Sequence, residues 1–498
     1  MDSLLSIEFN MKDPKKKIEI IFYLIKRMSP TEKRYFKLNN KMYKGGDKDF
    51  VRLFDFINKM EVYDMSKIEN FFTKNKVNSK NLCVAYLHNK LIECIDDEMI
   101  YLPDGQNIIM PHMKAVRAYI KMELIDLAYK ELLKLEELAE LYELYNYLRD
   151  IYDNQENLIS LSHMRTSHME HRKELYAKHK RLYEINKVMS DIGYANYMFM
   201  YDTPDSDEFK CAIDIMSQYD INNFPPLVNI LHRHAYFWYN RNVGQQELAY
   251  ISCKTSIKIF DENPHLIEAY IERYLTEWSN LFVSITKTDK RDIAARHYEQ
   301  YQQLPQRFKN IFVKFPDVFT VFYKLTGHLY EAAYNVEYEQ YESMEKLSKN
   351  TLKTLEKYPT SISRATTVTS LFLRICYGFV LLQDKKSSQF WMDKLESLPY
   401  ISEMWAYLDM TVLKLILFYE QEDFSLFESN IRSIKRKSKK EDYPDRIIFM
   451  LDFLSSLTLK RNQHKLTQIW KTGHQKMLEI ERKHYCYIPY SKWIAQKI

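Results

Sequence analysis

Four histidines, His163, His168, His171 and His179, stand in one proline-free stretch, and His168 and His171 at i, i+3 share a helix face as paired metal ligands do. A third ligand is missing, because Glu170 and Glu174 fall on other faces. The spacing therefore predicts interface histidines beside the apolar stripe of Leu161, Met164, Leu175 and Leu182. Asp202-Thr-Pro-Asp-Ser-Asp-Glu208 is acidic but lacks the spacing, central Gly and closing Glu of a calcium loop. Asp96 and Asp97 are adjacent, diverge on a helix and cannot serve one substrate. No HExxH, HxE…CxxC, GxxxxGK[ST] or nucleophile elbow occurs, and no Gly-rich loop follows a strand-like run, so neither catalysis nor a cofactor is expected. Six cysteines without CxxC or regular spacing read as reduced core thiols, not as a disulfide framework or a zinc site.

The chemistry that remains is charge. Twelve Lys/Arg lie between Lys12 and Lys48 against Asp13, Glu19, Glu32 and Asp47, so the net charge of +5 belongs to the N-terminus. Lys33, Arg34, Lys37 and Lys41 form one candidate surface for an anionic partner. Arg432, Lys435 and Arg436, in the run Ile431–Lys440, form a second. The competing reading is solvated surface in the first case, and cations complementing a helix C-terminus in the second. A phosphate-binding role for the N-terminal patch is possible but not favoured.

The elements that must carry these groups are helices. Eight glycines and fourteen prolines are few for 498 residues, which favours long helices over sandwiches or barrels. Residues 1–102 read as a small basic helical module: Ile18–Met28, then a helix opened by Ser29, Pro30 and Glu32 as a capping box and running to about Tyr43. Asp49–Met60, Met65–Lys74 and Ser79–Tyr101 follow. Tyr101–Gly105 is turn-rich. Residues 103–225 hold Pro111–Met122, Ile125–Glu137, a stripe of Leu138, Leu141, Tyr145, Leu148 and Tyr152, and a long helix over about Asn157–Val188.

Residues 226–498 read as helix pairs closed by prolines: Pro226–Asn240 with Gln246–Phe260, Leu266–Ile285 with Arg291–Leu304, then Pro316–Tyr358, Ser361–Leu398, Ile401–Lys440 and Pro444–Arg482. With Pro305 or Pro316 as the second mark, the prolines from Pro264 to Pro489 recur at intervals of about 40–46 residues, the length of two helices. Ile267, Ile271, Tyr274, Trp278, Leu281 and Ile285 form one stripe, and the preceding helix offers it the small side Ala249, Ser252, Cys253 and Ser256. Trp405, Leu408, Val412, Leu415 and Tyr419 make another stripe. The tail 483–498, with Tyr485, Tyr487, Tyr490 and Trp493, is expected to cap the last pair. A pair cannot bury its stripe alone, so the pattern predicts an all-α chain of stacked pairs.

Tyr119 and Ala128 lie nine residues apart, with Leu132 four further on, and here the chain resembles a degenerate tetratricopeptide repeat (TPR). His112 and Val116 replace that repeat's Trp and Gly. Gly327-His-Leu-Tyr330 and Gly378 echo it later. Residues 29–38 also resemble the opening of a group of uncharacterised bacterial helical-repeat proteins. The resemblance implies a right-handed α-solenoid of TPR-like pairs behind the N-terminal module, and a scaffold for a protein or peptide partner. The alternative is a nucleic-acid-binding regulator, whose layout looks like that of peptide-sensing bacterial regulators. A start without a basic leader, and apolar runs too short to span a bilayer, point to a cytoplasmic chain with no membrane partner.

Overall fold

The computed structural model describes residues 14–28, 33–34, 36–37, 49–77, 79–97, 105–121, 125–161, 168–202, 204–286, 288, 290–314, 316–357, 365–398, 406–438, 443–458, 463–483 and 488–498. Every regular element among them is helical, as the periodicities require, and no described helix is long and apolar enough to cross a membrane. The chain divides into two compact units, one of residues 1–102 with 355–363 and one of 103–354 with 364–498.

In the first unit, helix α1 (Pro14–Arg27) packs on α2 (Asp49–Lys59) and α4 (Lys80–Asp97), with α3 (Met65–Lys74) against α2. Ile18, Ile21, Phe22 and Ile25 bury one face of α1, and Phe36 stacks on Phe54 at 4.3 Å. Asp64 caps α3, accepting from the Ser66 and Lys67 N–H groups at 3.0 and 3.2 Å. The capping box at Ser29, Pro30 and Glu32 lies outside the described residues.

The second unit opens with α5 (Gln106–Lys121, Pro111 inside it), α6 (Ile125–Leu141) and α7 (Tyr145–Leu161). α8 (His168–Tyr201) and α9 (Asp207–Ser217) follow. Of the long helix expected over Asn157–Val188, the stretch to Leu161 belongs to α7 and that from His168 to α8, and residues 162–167 lie outside the described residues. The expected stripe through Leu141 is broken. Glu143 turns left-handed, Leu141 is exposed and Leu144 takes the buried place.

Next come α10 (Pro226–Asn242), α11 (Gln246–Glu262), α12 (Pro264–Ala269) and α13 (Ile271–Ile285). The expected helix Leu266–Ile285 breaks at Tyr270, whose hydroxyl donates to the Glu143 carbonyl at 2.9 Å and holds the kink. The big stripe of α13 does face the small side of α11: Ala249, Ser252, Cys253 and Ser256 are all buried, and the two helices pack together. α14 (Arg291–Gln302) is followed by α15 (Leu304–Arg307) and α16 (Lys309–Lys314). Pro305 thus sits in the first turn of a short helix, where its missing N–H is harmless, instead of ending α14.

The remaining elements are α17 (Pro316–Glu337), α18 (Met344–Lys357), α19 (Ala365–Leu381), α20 (Lys385–Glu396), α21 (Ala406–Glu420), α22 (Phe424–Ser438), α23 (Asp445–Thr458), α24 (Gln463–Lys483) and α25 (Tyr490–Ala495). First helices of successive pairs pack on one another: α13 on α17, α17 on α19, α19 on α21, α21 on α23. This explains α21, where Met410, Val412, Leu413, Leu415, Ile416 and Leu417 are all buried. The expected single stripe is instead a helix buried nearly all round. Trp405 lies outside the described residues.

At five of the unit's helix–helix turns one geometry recurs. The second residue after the first helix is left-handed: Glu143 (φ 53°), Gly244 (76°), Glu339 (58°), Gln383 (59°) and Glu422 (62°). The next N–H reaches back five residues, Leu144 to Ala139 and Gln245 to Asn240 at 2.7 Å, Gln340 to Asn335 at 2.9 Å, Asp384 to Phe379 and Asp423 to Phe418 at 3.0 Å. This closure satisfies the carbonyls left over at a helix C-terminus.

The tail differs from expectation. Beyond packing on α24, it straps several pairs together. Trp493, fully buried, packs on Trp470 and Tyr419 and donates to Glu420 at 2.7 Å. Tyr377 donates to the Pro489 carbonyl at 2.5 Å, Gln496 to the Leu381 carbonyl at 3.0 Å, and Lys492 pairs with Glu339. Asp409, fully buried on α21, is satisfied by Tyr490 at 2.8 Å and Arg446 at 2.9 Å. These buried polar groups need the tail, which is why it runs inward.

Candidate functional site

The basic residues singled out by spacing are largely engaged. Lys33, Arg34 and Lys37 are helical beside buried Phe36, and Lys41 lies outside the described residues. Lys37 pairs with Asp55 at 2.5 Å and lies over the Phe54 ring. Lys33 is half-buried and Arg34 is exposed. On α22, Lys435 pairs with Asp452 at 2.7 Å and Arg432 with Glu428 at 3.7 Å. Arg436 reaches the Arg432 carbonyl of its own helix at 3.4 Å.

The histidines of the α8 region bind neighbouring helices. His171 meets the Tyr129 hydroxyl of α6 and, on its own helix, Glu174, and His179 meets Asp153 of α7 at 3.7 Å with its ring against Tyr152. The side chains of His163 and His168 lie outside the described residues. Among the described residues no group of three His, Cys, Asp or Glu could hold a metal ion.

A polar interior cluster lies where α10, α11 and α13 meet. Glu277, fully buried, receives a 2.6 Å hydrogen bond at Oε1 from His234 Nδ1, and His234 Nε2 accepts from Trp238 Nε1 at 3.2 Å. This pattern assigns the imidazole one proton, on Nδ1. Arg241 stacks on Trp238 at 4.6 Å, and Cys253 lies within the fields of Arg241 and Glu277. A thiol, an imidazole and a carboxylate are the ingredients of nucleophilic catalysis, but burial pushes the Cys253 thiol well up and the Glu277 charge pushes it further. Both effects disfavour the thiolate, and the bond from His234 to Glu277 ties α10 to α13. Cys211, expected in the core, is instead exposed on α9.

A second assembly is partly open to solvent. On α17, Tyr323, Tyr330 and Tyr334 fall at i, i+7 and i+11, one face of the helix, and Tyr338 follows four residues on, just past its end. Tyr298 of α14 stacks on Tyr330 at 4.3 Å and donates to Glu331 at 2.5 Å. Tyr301 stacks on Tyr323 at 4.7 Å, and Tyr334 and Tyr338 lie 4.6 Å apart. Exposed Arg291 donates to the Tyr334 hydroxyl at 2.8 Å, its guanidinium 5.6 and 5.5 Å from the Tyr334 and Tyr338 rings. The result is a row of rigid rings with polar edges, ending in a cation. Tyrosine content alone did not single it out. The 7–4–4 spacing from Tyr323 to Tyr338 was the available signal. Elsewhere, a groove of 470 Å³ opens between α23 and α24, lined by Phe449, Phe453, Thr472, Gly473 and Lys476.

No protein family, curated protein or solved structure matches this chain.

Proposed function

We propose that the chain is a helical-repeat scaffold, a right-handed solenoid of TPR-like pairs without catalysis of its own, that binds a protein or peptide segment. The observation that carries this reading is the turn repeated at Glu143, Gly244, Glu339, Gln383 and Glu422. One turn geometry used again and again, with first helices packed on first helices, is what stacked repeats require. The row formed by Tyr298, Tyr330, Tyr334, Tyr338 and Arg291 supports the binding part. Tyrosine and arginine give large, stiff, amphipathic contact area, the composition favoured where proteins meet.

The test compares immobilised full-length protein with an Arg291→Glu/Tyr334→Ser/Tyr338→Ser variant in extracts of the native host. A protein retained by the first and lost by the second, with melting temperatures alike, is the expected result. Retention by both forms alike, or by neither, removes the reading.

A further inference from the structure

α8 buries Leu175, Leu182, Ile185, Val188, Ile192, Ala195 and Phe199 against its neighbours, which leaves its other face to solvent. That face is not an ordinary solvated one. Tyr176 is 73% exposed, Tyr183 68%, Tyr197 58% and Tyr194 39%. Lys173, Lys180 and Lys187, also exposed, recur every seven residues, each of the first two followed three positions on by one of these rings. From Lys173 to Tyr197 the stripe covers about a third of the helix circumference and runs for about 36 Å.

None of Lys173, Lys180 and Lys187 has an ion-pair partner among the described residues. The flanking carboxylates are mostly occupied, Asp191 by the Tyr219 hydroxyl and Asp153 by His179 and Arg149. Glu184 alone flanks the stripe as an exposed acid of α8 near its centre.

We propose that this face binds a single-stranded nucleic acid, with bases stacked on Tyr176 and Tyr183 and phosphates met by Lys173, Lys180 and Lys187. Alternating cations and open rings match a strand that carries a charge and a planar group in every unit. A protein partner fits less well, since lysine is depleted from the cores of such interfaces and the stripe has no aliphatic anchor. A bilayer fits less well too. Interfacial helices insert Leu, Phe or Trp, and the apolar side of α8 is already spent on the core. A duplex offers the lysines its phosphates but keeps its bases from the rings.

The test is fluorescence anisotropy of the full chain at low salt. The probes are labelled single-stranded DNA and RNA of mixed sequence, the matching duplex, heparin as competitor, and phosphatidylserine-containing vesicles. Single strands are expected to bind more tightly than duplex, in a salt-dependent way. Tyr176→Ala/Tyr183→Ala should weaken this about tenfold or more, as loss of stacked bases does. Lys173→Gln/Lys180→Gln/Lys187→Gln should weaken it and flatten the salt dependence. Every substituted side chain is exposed, so circular dichroism and melting should not change. No binding of single strands overturns the proposal, as does a tyrosine variant that binds like the parent, which would mean plain polyanion attraction. Vesicle binding without strand binding would reassign the face to a membrane surface and overturn it equally.

Discussion

At the scale of single residues, two buried side chains make separable statements about stability. Trp278 is 3% exposed and packs against Phe282 at 5.7 Å and Tyr301 at 5.6 Å, at the centre of the α13 stripe. Trp278→Ala should therefore destabilise the protein by about 3–5 kcal/mol in denaturant unfolding, the range for deleting a large buried aromatic. A loss under about 1 kcal/mol would place the ring at the surface. Glu143 is the second. It accepts the Leu227 N–H at 2.7 Å at the start of α10, yet burial holds its carboxyl above the usual value of 4.5. A carboxyl raised on folding contributes stability below its unfolded pKa and loses it as pH rises through the folded one. Glu143→Gln keeps an acceptor oxygen without the buried charge. Its melting temperature should rise relative to the parent from pH 4 to pH 7, whereas a deficit growing over that range would mean the charge is stabilising.

At the scale of elements, the recurring turn explains what sequence punctuation could not reveal. Only one of the five left-handed positions is glycine, Gly244, so the others carry no conspicuous mark. Glu143, Glu339, Gln383 and Glu422 adopt a conformation that disfavours side chains because closing the pair satisfies the helix end. Gln383 and Glu422 are exposed, and replacing them loses no packing. Gln383→Gly and Glu422→Gly should each stabilise by about 0.5–1 kcal/mol, the relief of left-handed strain exceeding the added freedom of the unfolded chain. Thermal unfolding checks this. Destabilisation by both would mean that these turns are not strained.

At the scale of the whole molecule, two desolvated histidines should make stability fall in acid. Burial depresses His232 and His328 from 6.5 to about 4, with Arg233 and Lys324 adding to the effect. Both are bases with a lowered folded pKa. Their neutral rings contribute stability above pH 6.5, and it is lost as pH falls toward 4. Melting temperature should decline across that window, and a His232→Leu/His328→Leu variant should decline less steeply. Parallel curves for the two forms would count against these residues.

Amphipathic spacing alone was enough to establish helices, most pair boundaries and the match of the α13 stripe to the small side of α11, because a 3.6-residue period can bury only one face. The same local logic assigned the basic runs to solvated surface or helix ends, and it had no means of naming Asp452 as the partner of Lys435. Spacing could not show that Tyr270 breaks a helix to reach Glu143, or that the tail threads inward to satisfy Asp409 and Tyr377. Nor could it show that the side of α8 bearing Tyr176 and Tyr183 stays open. Each depends on partners more than 80 residues away or on which face the neighbours leave uncovered, and a local pattern carries no record of either.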